Sequence, residues 1–151
     1  MKASVTVKGV EGLGLRLAHW NRSVTSFERV WPKVERRFNL IVREQFATEG
    51  ARGGNRWKPL TKKYAQWKSK RHPGKKILQL HGALLASLAG RTSDTHYNVT
   101  AKTWQKFTTL PYASRQNSTR PIIVLTESDN GAFTQIFADY VDAELRSSGL
   151  K

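Results

Sequence analysis

The sequence predicts an α+β fold: a small antiparallel sheet packed against a long, proline-broken N-terminal helix and a C-terminal helix, with an extended basic insert. Three observations predict it. An apolar stripe at helical spacing runs from Trp20 to Ile41, two short alternating segments lie between residues 95 and 110, and a second amphipathic stretch follows Thr126. At 151 residues the chain is expected to form one domain, 1–151, with the insert at about 50–76.

Lys2 to Lys8 alternates, with Val5 and Val7 opposite Ser4, Thr6 and Lys8, and predicts a short strand. Trp20, Val24, Phe27, Trp31, Val34, Phe38 and Ile41 then recur every three or four residues, which puts them on one stripe of a helix. Pro32 interrupts the stripe. It lacks an amide donor and clashes with the preceding turn, so the expectation is a kink, or a break with Pro32 opening a second helical piece. An unbroken helix over 13–48 would be about 54 Å long, more than a domain of this size needs. Gly50, Gly53 and Gly54 end it. Thr61–Lys70 predicts a short helix with Tyr64 and Trp67 on one side, and His72-Pro73-Gly74 a turn. Ile77–Leu88 predicts another helix, with Leu80, Leu84, Leu85 and Leu88 sharing a face and Gly90 closing it. Residues 95–110 predict two strands joined near Lys102-Thr103. Leu110 to Ala113 begins an exposed connection, Ser114–Arg120 is expected to be a polar loop, and Pro121–Leu125 a strand covered on both faces. Thr126 caps the last helix, with Glu127 and Asp129 in its first turn and Phe133, Ile136, Phe137, Tyr140, Val141 and Leu145 on its apolar face.

Charge is distributed unevenly. Residues 1–49 carry nine basic and five acidic side chains, residues 50–126 fifteen and one, and residues 127–151 two and five, for a net charge of +15. That asymmetry predicts contact with a polyanion, or head-to-tail pairing of unlike patches in an assembly. The insert concentrates it. GARGGNRWKPLTKKYAQWKSKRHPGKK holds Arg52, Arg56, Lys58, Lys62, Lys63, Lys68, Lys70, Arg71, Lys75 and Lys76, with Trp57, Tyr64 and Trp67 among them and no acid. Such a segment is expected to stay solvated or to meet an acidic partner, a neighbouring subunit or DNA.

Little in the chain suggests catalysis. It has no cysteine, which removes disulfides, thiolate metal sites and cysteine nucleophiles. His19, His72, His81 and His96 form no metal-ligand spacing, and Asp94 is the lone acid in the middle of the chain. There is no nucleophile elbow and no phosphate-binding glycine loop between a strand and a helix. The expectation is a protein that is not an enzyme and needs no cofactor. No apolar run is long enough to span a membrane, and the N-terminus lacks an apolar signal core.

Several short motifs occur in a telling order: Phe46 before Gly50; Trp57, Pro59 and Leu60; Ile77, Leu78, Gly82, Leu84 and Ser87; Pro111, Tyr112, Ala113 and Gln116; Arg120, Pro121, Leu125 and Thr126. Each is weak alone, but together they span nearly the whole chain, which resembles the virion-morphogenesis, or tail-completion, family of Mu-like tailed bacteriophages. The sequence departs from that pattern at Arg115, where histidine is common, at Asn117, where glycine is common, and at Thr126, which replaces a serine. The resemblance implies a structural virion protein of the neck at the head–tail junction, made in the host cytoplasm. It implies a homohexameric ring that touches other phage neck and tail proteins and surrounds passing DNA. Within it, the basic insert and a loop contact through Tyr112, Arg115 and Gln116 are the expected partner surfaces.

Overall fold

The computed structural model describes residues 10–150; the strand predicted at Lys2–Lys8 lies outside them. In order, the elements are α1 (Val10–Thr25), α2 (Trp31–Ala47), a 3-10 turn (Ala51–Gly53), α3 (Lys62–Arg71), α4 (Ala83–Ala89), β1 (Thr95–Val99), β2 (Trp104–Thr108), α5 (Ala113–Thr119) and α6 (Glu127–Ser147). The chain is α+β, as its periodicities predict.

The long N-terminal helix breaks at residues 26–30, and Pro32 lies in the first turn of α2, where its missing amide costs no helical hydrogen bond. Helix α2 is the central element. Its buried stripe, Trp31, Val34, Phe38, Ile41, Val42 and Phe46, serves two clusters. At its start, Val30, Trp31 and Val34 meet Phe27 and the Phe133, Ile136, Phe137 and Tyr140 face of α6. Toward its end, Phe38, Val42 and Phe46 pack with Trp57, Leu84, Leu88, Ala89 and Ile122. Trp104 of β2 touches both clusters.

The two strands form an antiparallel hairpin, with Thr95 opposite Thr108 and Val99 opposite Trp104. Its tip is fastened to the break between α1 and α2: the Phe27 amide donates to the Ala101 carbonyl at 2.7 Å and the Trp31 indole to the Thr100 carbonyl at 2.9 Å. Its flank is fastened to α2 through Glu35, which accepts from the Tyr97 hydroxyl at 2.7 Å and from Arg91 at 2.8 Å. Lys106, buried beside them, donates to Asn39 at 2.9 Å. Burial lowers the Lys106 pKa, with the nearby Glu35 carboxylate opposing.

Three local expectations are corrected. First, residues 77–82 are not helical; α4 begins only at Ala83, after Leu78 at φ 60° and Gly82 at φ 78°. This stretch instead crosses the end of α2. Gln79 donates to the Phe46 carbonyl, which also accepts from the Glu49 amide, the preceding Lys76 donates to the Ala47 carbonyl, and the Ile77 amide donates to the Glu49 carboxylate, so the stretch is fastened to the end of α2. Second, 113–119 is a short helix, not a loop; its polar sequence has no apolar stripe to announce it. Third, 121–125 is extended but pairs with no strand, and it is covered on one side only: Ile122 is buried while Ile123 and Leu125 are exposed. Side chains take the place of a ladder. The Pro121 carbonyl accepts from Gln45 at 2.9 Å and from the Trp57 indole at 2.8 Å, the Val124 carbonyl accepts from Arg52, and the Ile122 amide donates to Asn117 at 2.9 Å.

Candidate assembly surface

The basic segment begins at a turn that only glycine fits. Gly50 has φ 89°, and a Cβ there would lie 2.5 Å from Cδ1 of Trp57. The turn drives Trp57 into the core, where its ring meets Phe46 edge-on at 5.2 Å between centroids. Trp57 is 4% exposed. The expectation that the whole segment stays solvated is therefore corrected at three residues. Trp57 is a core residue. Arg52 is largely buried, bound to Asp129 of α6 and to Glu44. Lys68 is buried with its ammonium on the Lys76 carbonyl, and burial lowers its pKa against the pull of Glu49. Lys76 donates to the Ala47 carbonyl at the end of α2 and remains exposed.

Asp129, expected only as an acid in the first turn of the last helix, has a larger structural role. It is fully buried and accepts from Arg52, from Arg37 at 2.9 Å, and from the Thr126 amide and hydroxyl at 2.9 and 2.8 Å. With the Asp129 amide on the Thr126 hydroxyl this completes a capping box at the start of α6. Burial alone would raise the Asp129 pKa, but the Arg52 guanidinium, Thr126 and Arg37 hold it well below the usual carboxylate range. The signal for this role was the Thr126-x-x-Asp129 spacing together with an arginine at a glycine turn far away in sequence.

The remaining predicted residues stay on the surface, and the fold brings the two predicted contact regions together. A groove of about 660 Å³ runs between the basic segment, the 78–84 stretch and α5. Lys58, Tyr64 and the buried Lys68 line it from one side, and Tyr112 and Gln116 from the other. Leu60, Leu78, Leu80 and Leu84 give it an apolar lining. Arg120 ties the walls, donating from Nε to the Lys58 carbonyl at 2.9 Å and from a terminal nitrogen to the Pro59 carbonyl. Motif residues that lie some sixty positions apart in the chain, Pro59 and Leu60, Leu78, Gly82 and Leu84, Tyr112 and Gln116, and Arg120, thus share one depression. Arg115 does not line it.

Outside the groove, Arg56, Lys62, Lys63, Trp67, Lys70, Arg71 and Lys75 are exposed, and none of these cations forms an ion pair among the described residues. Of the five acids of the last helix, three face cations of the same chain, while Glu127 and Asp139 are exposed and form no ion pair among the described residues. Asp129 serves Arg37 and Arg52, Glu144 faces Arg29 at 3.7 Å, and Asp142 pairs with Arg146 at 2.6 Å. Among the described residues no group of three His or acidic side chains gathers as a metal site, and no helix is long and apolar enough to cross a membrane.

Comparison with curated proteins and with solved structures yields no match. The phage virion morphogenesis family does match, over residues 10–106, from the start of α1 into β2. That span includes the broken helix, the glycine turn, the basic segment and the 78–84 wall of the groove. It covers well over half of the sequence, so the chain belongs to the phage virion morphogenesis family and has a structural, virion-associated role in a bacteriophage.

Proposed function

We propose that this chain is a tail-completion or neck subunit that assembles as a ring, of six copies, at the head–tail junction, where it joins tail to capsid and leaves a passage for DNA. The observation that carries the reading is the groove. It has an apolar lining and basic edges, lies on the surface of a chain of the virion morphogenesis family, and collects motif residues from three separate stretches. An apolar depression with a few polar groups at its margins suits a protruding element of a neighbour better than it suits solvent. Closed rings need unlike patches to meet, and a groove supplies the concave half of such a pair. Other neck and tail proteins are the candidate partners of the faces that a ring leaves uncovered.

Tyr112 tests the reading. Its side chain is 43% exposed at the groove wall, so Tyr112→Ala should change folding stability by no more than about 0.5 kcal/mol. If the groove is an intersubunit contact, removing an aromatic anchor should weaken association by about 2 kcal/mol or more, a factor of about thirty. Sedimentation and thermal melting of the purified protein separate the two effects, and complementation of a phage lacking the protein reads out function. An oligomer of undiminished stability would reject the groove as the ring contact.

A further inference from the structure

Helix α3 carries an exposed aromatic pair, of which Tyr64 also lines the groove and Trp67 lies outside it. Tyr64 and Trp67, one turn apart, stack at 5.5 Å with 22° between their planes, and both rings are substantially exposed. His72 continues the row, 5.6 Å from Trp67. Lys63, Lys70 and Arg71 lie one turn to either side of Trp67 on the same helix, and Lys62 opens it. The cations in contact with the rest of the fold are different ones: Lys68 is buried beneath the helix and Lys76 caps α2. Glu49, the acid nearest this region, is turned inward onto the Ile77 amide. Three of the five acids of α6 face Arg37, Arg52, Arg29 and Arg146, which leaves Glu127 and Asp139 as the exposed acids that a second copy of this chain would offer from that helix.

We infer that this face of α3 binds a nucleic-acid strand with unpaired bases, the phosphates held by Lys63, Lys70 and Arg71 and a base stacked on the Tyr64–Trp67 pair. Positive charge alone would accept any polyanion. The exposed, mutually stacked rings add a flat π surface, which suits bases and offers nothing to an acidic peptide. The inference rests on the reading of the basic segment as a partner-facing surface; it shares Tyr64 with the groove, so its test uses Trp67, which the groove does not include.

Fluorescence anisotropy with a labelled oligo-dT of about 16 nucleotides tests it, against a blunt duplex and polyglutamate as competitors. The wild type should bind oligo-dT with a steep salt dependence, and polyglutamate should compete poorly. Trp67→Ala should weaken oligo-dT binding about five- to a hundredfold with an unchanged melting temperature. Lys63→Glu with Lys70→Glu should weaken both nucleic acids and flatten the salt slope by about 0.7 for each single-strand phosphate no longer held. The inference is overturned if Trp67→Ala binds oligo-dT as tightly as the wild type, if polyglutamate or the duplex competes as well as oligo-dT, or if the wild type binds none at low salt. Ring assembly, measured on Tyr112→Ala, succeeds or fails independently of these results.

Discussion

Trp57→Ala should lose about 3–5 kcal/mol of folding stability, although the residue lies in the most highly charged part of the chain. The ring fills the space between Phe46, Leu84, Leu88 and Ile122, and its indole holds the Pro121 carbonyl at 2.8 Å. Truncation removes a large buried surface, an edge-to-face packing against Phe46 and one of the two donors on Pro121; Gln45 would remain as the other. The glycine turn and the extended 121–125 segment both lean on this side chain, so the space is poorly placed to collapse. Most domains have only about 5–15 kcal/mol to lose, and the variant should melt far below the wild type. Urea unfolding checks this. A loss below about 1 kcal/mol would mean that the basic segment is not part of the core.

Asp129→Asn should cost about as much, roughly 3–5 kcal/mol, for a different reason. The carboxylate is completely buried between Arg52 and Arg37, and neutralising it leaves Arg37 without its counter-charge and the mostly buried Arg52 with Glu44 alone. The sign of the pH effect follows from the direction of its shift. A carboxyl whose folded-state pKa is lowered contributes stability that is fully present above its unfolded value, near 4, and that is lost as the pH falls toward the folded value. The wild type should therefore lose this contribution below about pH 4. The gap between wild type and Asp129→Asn should be constant from neutral pH down to about 5 and should narrow below 4. Urea midpoints across that range would measure it, and a gap independent of pH would show that the charge is not what matters.

What the sequence made legible was local. The α2 stripe, the proline that opens it, the glycine turn, α3, the hairpin and the Thr126 cap all have their cause within a few residues, and each lies where periodicity or turn chemistry puts it. What it hid depended on distant partners. Trp57 and Lys68 look solvated among so many lysines and arginines, because the average charge of a window says nothing of which single side chain turns inward. Asp129 had a sufficient local explanation as a helix-start acid, which concealed its pairing with Arg52, 77 positions away. Residues 121–125 have the apolar, β-branched composition of a strand, but their hydrogen-bond partners are side chains of Gln45, Arg52, Trp57 and Asn117. Leu80 is in helical phase with Leu84 and Leu88, yet Gln79 and the Ile77 amide fasten residues 77–82 to the end of α2 instead. The groove was half visible: both of its walls were expected contact regions, but nothing in the order of residues shows that they face each other.

Electron cryomicroscopy of the intact particle tests the central claim most directly. The account predicts a closed ring of this chain between capsid and tail, with density from a neighbouring molecule seated against Leu60, Leu80 and Tyr112. It would be contradicted by finding the chain away from that junction, or by finding it there with the groove open to solvent.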